Sequence, residues 1–332
     1  MSDWPRLRGW ARRINLILLA LLFAFLIAFA AMSFMTAPPY DYALLMHGAE
    51  TFCFAPDDFE FGLSLHAYYP APFYTLFCLP AHFALTEAIL RVLWLFVPVG
   101  LTLWLARGRA AALAYPPLGV LLLIGQSSWL LLPLYILAAR DDGKKPSRWW
   151  FGLIVALGVI KPHVALPAWL WLSWRWWRRR EWPALITWGL ALIVLVVPSF
   201  LMRPGWLLEW LPNGRGFESV NLASIALIPV QVGGLDFAPP PGALLAVWGF
   251  CALVGTGVYA LLRWRRGRLT GYDWVLLFFF ISPVLNDYDL VVLLPFITRR
   301  RRRLLLALTA GVVTWLFAMV TRIVPGELAR WS

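Results

Sequence analysis

Asp41 lies a few residues past an apolar run that ends at Met35, in the sequence Pro38-Pro39-Tyr40-Asp41-Tyr42. A carboxylate beside aromatic side chains has the chemistry of a general base that takes a proton from a hydroxyl. The competing role is to cap a short helix expected over 42–54. Lys161 stands alone between the apolar segments 149–160 and 163–176. An isolated ammonium in such a setting lines a pathway, binds an anion, or reaches out to the interface. His163 is a second donor beside it. Asn286, Asp287 and Asp289, behind Pro283, offer hydrogen bonds to a polar ligand, and Gly125-Gln126-Ser127-Ser128 is a polar break between apolar segments. Asp287 has the simpler alternative of capping the helix after it. His47 and His66 lie near Asp57, Asp58 and Glu60, but no HxH or HExxH spacing joins them, so they are read as solvated and no metal site is expected.

The chain that must position these groups is strongly apolar. Of its 332 residues 61% are hydrophobic and 14% charged, with a mean hydropathy of +0.72. Soluble domains carry about 25% charged residues. The expected fold is therefore all-α, a polytopic transmembrane helical bundle forming a single integral membrane domain over 1–332. An apolar run from Ile14 to Met35 follows Arg6, Arg8, Arg12 and Arg13 and reads as an uncleaved signal-anchor helix. Further segments fall at about 70–86, 88–106, 110–124, 127–139, 149–160, 163–176, 183–202, 242–262, 272–283, 287–298 and 304–323, giving 11–12 in all. Several are well short of the roughly 20 residues of a straight span. Polar breaks between short segments survive at membrane depth only where protein or a water-filled cavity satisfies them. The pattern predicts broken helices around a cavity.

The net charge of +12 does not indicate nucleic acid, because 23 of the 29 basic residues occur in six clusters between apolar runs. Clusters so placed are orientation signals. With all six in the cytoplasm, as in a plasma-membrane protein with a cytoplasmic N-terminus, the breaks near 125–129, 161–163 and 284–289 fall outside. So do the loops 36–69, which contains the expected surface helix, and 203–241. One inconsistency remains: two segments, 70–86 and 88–106, occupy a stretch that needs an odd number of crossings. Pro70, Pro72 and Pro80 mark 70–86 as the half-helix or re-entrant piece. The cysteines Cys53, Cys78 and Cys251 lack CxxC spacing; a disulfide requires two of them to meet outside the cytoplasm, and none is expected.

Five segments, in order, resemble glycosyltransferase family 87 of the GT-C superfamily of integral membrane glycosyltransferases. They are Pro39-Tyr40-Asp41-Tyr42, Tyr68-Tyr69-Pro70-Ala71-Pro72-Phe73, Gly125-Gln126-Ser127, Gly158-Val159-Ile160-Lys161-Pro162, and Ser282-Pro283 with Asp287-Tyr288-Asp289. The chain departs from the family pattern at His47-Gly48-Ala49-Glu50-Thr51-Phe52, and at Ser128, where the family carries Asn. The resemblance implies a GT-C-like enzyme that moves a sugar, commonly mannose, from a polyprenyl-phosphate donor to a lipid or glycan acceptor on the outer face. It implies Asp41 as the base, Lys161 and His163 near the donor phosphate, and Tyr40, Tyr69, Gln126, Asn286, Asp287 and Asp289 as substrate contacts. No cofactor is implied, since the lipid-linked sugar is a co-substrate. The expected partners are membrane lipids, donor and acceptor, with no nucleic acid. Two other readings are a transporter or flippase of a lipid-linked or anionic substrate, which keeps its ionisable groups near the midplane, and a non-catalytic scaffold subunit.

Overall fold

A computed structural model of the chain describes residues 40–56, 58–60, 69–140, 147–213 and 287–298, with single positions in 10–28 and 253–275. Among the described residues every regular element is helical. The α-helices are α1 (Tyr40–Phe54), α2 (Ala71–His82), α3 (Ala84–Leu105), α4 (Pro116–Ile124), α5 (Leu132–Arg140), α6 (Phe151–Ala156), α7 (Pro162–Arg178), α8 (Trp182–Met202), α9 (Trp206–Asn213) and α10 (Leu294–Ile297). Four 3-10 turns, Ala110–Ala114, Ser128–Leu131, Leu157–Ile160 and Asp287–Leu293, join or extend them.

The short expected segments are divided more finely than their apolar runs suggest. The run 110–124 splits at Tyr115, because Pro116 and Pro117 can begin a helix but cannot continue the preceding turn. The run 149–160 tightens into a 3-10 turn before Lys161. The helix expected over 42–54 begins at Tyr40, so Asp41 lies within its first turn. The break between the second and third apolar segments falls at Phe83, in extended backbone, so residues 84–86 belong to α3.

Helices α3 and α8, of 22 and 21 residues, are long and apolar enough to cross a membrane. Along α8, Ile186, Leu190, Ile193, Val194, Val197 and Leu201 are exposed and lie on one face. An outward stripe of this kind inverts the pattern of a soluble surface helix. The inward face of α8 is small: Ala184 and Ser199 are buried, and the backbone at Ala184 and Trp188 lies against Gly152 of α6.

Helices α1 and α2 run side by side in the same direction. Gly48 meets Tyr74, and Phe54 stacks on His82 with ring centroids 4.2 Å apart. Between these contacts Cys53 and Cys78 form a disulfide with Cα atoms 5.8 Å apart. This corrects the expectation of unpaired cysteines: the two are 25 residues apart, and only the pairing of α1 with α2 brings them together. A core of Phe52, Phe59, Phe73, Tyr74 and Phe77 fills the space around the pair. Arg203, after α8, donates to the carbonyls of Pro56 (3.1 Å) and Phe59 (2.6 Å) and fixes the loop after α1.

Two further sets of contacts join segments that carry basic clusters. The Asn15 side chain donates to the Gly108 carbonyl and accepts from the Ala110 amide, both at 2.8 Å, so the start of the first apolar run lies beside Arg107 and Arg109. Trp176 donates to Ser147 Oγ at 2.7 Å, and the Ser147 amide donates to Glu181 at 3.2 Å, joining two more basic clusters.

Candidate functional site

Four chain breaks and one helix start supply the polar groups. Helix α4 ends at Gly125, whose φ of +76° suits a residue without a Cβ. The amides of Gly125 and Gln126 both bond the Leu121 carbonyl at 3.0 Å. The Gly125 carbonyl accepts from Trp94 Nε1 of α3 at 2.9 Å. This turn ends the helix with Gln126, Ser127 and Ser128 in succession, all buried.

Lys161 occupies the second break. It follows a 3-10 turn and precedes Pro162, which fills the first position of α7, and its carbonyl accepts from the amides of Val164 and Ala165. Tyr135 of α5 donates to the Val164 carbonyl at 2.5 Å and fixes this first turn. The third break is the turn 287–293, anchored where Tyr115 donates to the Leu290 carbonyl at 3.0 Å. It brings Asp289 to full burial. Tyr69, just ahead of α2, and Asp41, in the first turn of α1, complete the set.

These side chains form one hydrogen-bonded chain. Gln126 Nε2 donates to Asp41 Oδ2 at 2.7 Å. Gln126 Oε1 accepts from the Tyr69 hydroxyl at 2.7 Å and from Lys161 Nζ at 3.2 Å. Ser127 Oγ donates to the Tyr69 oxygen at 2.7 Å. Lys161 Nζ also donates to Ser128 Oγ and to Asp289 Oδ1, each at 2.9 Å, and Ser128 donates to the same carboxylate. Lys161 is 5% exposed and Asp289 0%, so theirs is a buried ion pair. The Lys161 ammonium lies 5.4 Å from the centre of the Tyr69 ring.

Asp41, Tyr69, Gln126, Lys161 and Asp289 therefore converge. His163, partly buried in the first turn of α7, is within electrostatic reach of Lys161 and Asp289. The backbone of Tyr40 opens α1 and that of Asp287 opens the last turn. Their side chains, together with Asn286, Asp57 and His66, lie outside the described residues. The expected cap by Asp41 is replaced by the bond to Gln126.

Three members were not singled out from sequence. Ser127 and Ser128 complete the chain. Trp94 anchors the Gln126 turn and meets the ring of Tyr42 edge-on at 5.4 Å. The neighbouring Tyr42 hydroxyl donates to the Glu87 carbonyl at 3.2 Å. Burial first, and the Glu87 carboxylate second, push the Tyr42 phenol above its ordinary range, so it stays a neutral donor. Its only sequence signal was its place beside Asp41.

Chemically, the arrangement presents one partly buried carboxylate, Asp41, backed by a neutral amide. Behind the amide is a cation already matched by an anion. Asp41 Oδ2 is engaged by Gln126, and among the described residues Oδ1 has no protein donor, which suits a carboxylate that receives a proton. Compared with known families, characterised proteins and solved structures, the chain matches none.

Proposed function

We propose that this chain is a membrane glycosyltransferase that moves a hexose such as mannose from a polyprenyl-phosphate donor to a lipid or glycan acceptor, with Asp41 as the general base. In the reaction Asp41 takes the proton of the acceptor hydroxyl and the freed oxygen bonds to the anomeric carbon. The bond from that carbon to the phosphate oxygen breaks, and polyprenyl phosphate leaves. The observation that carries the reading is the Asp41–Gln126 bond and the chain behind it. Residues from all five segments that resemble family 87 are linked by direct hydrogen bonds, although up to 128 positions separate the bonded pairs.

The same reading places Asp41 on the outer face of a plasma membrane, and three observations support that placement. The Cys53–Cys78 disulfide belongs in an oxidising compartment. Helix α2, at 12 residues, is only about 18 Å long and is fastened to α1. Among the described residues this leaves α3 as the single helix of spanning length between Asp41 and Arg107, which fits the odd crossing the charge pattern needs. Asn15 also ties the basic N-terminal segment to the Arg107–Arg109 turn, on the side expected to be cytoplasmic.

The test is Asp41→Asn, assayed in membranes with a panel of polyprenyl-phosphate sugars. Transfer should fall to background while expression and monodispersity in detergent are retained. Wild-type transfer by that variant would remove the assignment. The buried Lys161–Asp289 pair is what favours the transporter reading, since transporters keep ionisable groups at depth. That reading predicts substrate movement across proteoliposomes without formation of a new glycosidic bond.

A further inference from the structure

We infer that the buried Lys161–Asp289 pair acts as a positioning device, fixing the rotation of the Gln126 amide so that its N–H group, and not its carbonyl, faces Asp41. The inference rests on Asp41 being the base and assigns Lys161 a task other than holding a phosphate.

The two ends of a glutamine amide are nearly equal in size but opposite in hydrogen-bonding character. Which end faces Asp41 is decided by what stands at the other end. Lys161 can only donate, so the atom 3.2 Å from its Nζ must be the carbonyl oxygen. The Tyr69 hydroxyl reaches the same oxygen at 2.7 Å. Because Ser127 donates to the Tyr69 oxygen, the Tyr69 proton is directed to Gln126. Two donors therefore converge on Oε1, and Nε2 is left to face Asp41 Oδ2.

The remaining donors of Lys161 are directed to Ser128 and Asp289. Asp289 is completely buried and held by a turn anchored to Tyr115, so the ammonium has a fixed seat. At least three protein acceptors, Gln126, Ser128 and Asp289, surround Lys161 among the described residues. A donor phosphate would have to displace one of them. Orientation of Gln126 needs no such rearrangement.

The experiment compares Gln126→Glu, Gln126→Met and the double variant Lys161→Met/Asp289→Leu in the full-length protein in membranes, with donor concentration varied. Gln126→Glu is isosteric but turns an acceptor towards Asp41. The two carboxyl groups then repel or share one proton, and either outcome impairs a base. Its kcat should fall by about 100-fold, the scale of a misplaced catalytic group, and below that of Gln126→Met. The double variant removes both charges, so no buried ion is stranded. It should lose on the order of tenfold in kcat, the equivalent of one hydrogen bond, with donor KM unchanged. A raised donor KM with kcat intact would overturn the inference and return Lys161 to the phosphate. So would wild-type kcat in Gln126→Glu.

A readout independent of turnover separates this inference from the reading it rests on. Carbodiimide labelling of Asp41, measured by mass spectrometry against exposed Asp58, should rise several-fold in Gln126→Met and in the double variant as the carboxylate loses its donor. An unchanged ratio refutes the positioning role whatever the transfer assay gives. A changed ratio in a protein that transfers no sugar refutes only the proposed function.

Discussion

The two sides of the candidate site are held by different forces. The side that carries Lys161 is fastened by a buried ion pair and a few hydrogen bonds between chain breaks. The side that carries Asp41 is fastened by aromatic packing and a disulfide between two short parallel helices. Lys161, Ser128 and Asp289 bond one another, so removing the cation leaves a buried carboxylate without its countercharge. The α1–α2 arm is held by many ring contacts that each contribute a little. Where polar groups must be buried the structure is brittle, and where apolar groups pack it is graded.

The largest expected effect breaks the first side. Lys161→Met leaves Asp289 buried without its cation, and stranding one partner of such a pair costs about 3–5 kcal/mol. The unfolding midpoint in detergent should drop sharply, and adding Asp289→Leu should recover most of the loss. If the single variant is as stable as the double, the pair is not buried as described.

Next comes the covalent fastening of the other side. Replacing Cys53 and Cys78 by serine should lower stability by about 2–4 kcal/mol, the usual range for a disulfide closing a loop of this size. In the untreated protein, maleimide should label neither cysteine until a reductant is added. Labelling without a reductant would leave the arm held by packing alone and would also weaken the case for an oxidising compartment.

The sequence reveals the members of the site better than its wiring. Asp41, Gln126, Lys161 and Asp289 were legible because a polar residue between apolar runs demands a partner, and that demand is visible without coordinates. Which partner satisfies it was not legible. Lys161 invited a phosphate, yet its anion is Asp289, 128 positions away. Spacing carries no information about such a pairing. The segment at 287 read as a capped helix, whereas a 3-10 turn over 287–293 buries Asp289. The disulfide was hidden for a similar reason, since nothing local announces that α1 and α2 run side by side. Helix breaks were partly legible: the Pro116–Pro117 pair marks one, and Phe83 gives no sign of another.

The smallest expected effects come from two glycines, one on each side, and they sharpen the contrast. A Cβ added at Gly152 would lie 2.5 Å from the Ala184 carbonyl oxygen and 2.5 Å from the Trp188 amide nitrogen, both backbone atoms of α8. Backbone cannot rotate away, so α6 must move, and the turn it leads into ends at Lys161. A Cβ at Gly48 would lie 2.9 Å from the edge of the Tyr74 ring, a side chain that can tilt among its aromatic neighbours. Overpacking of this kind costs about 1–3 kcal/mol, partly offset by the roughly 1 kcal/mol that alanine gains over glycine within a helix. Gly152→Ala should therefore lower the unfolding midpoint more than Gly48→Ala, and it should also reduce transfer by displacing Lys161 from Gln126. Equal effects at the two positions would mean that the α6–α8 contact can yield as readily as a ring, and that the Lys161 side is less rigid than its ion pair implies.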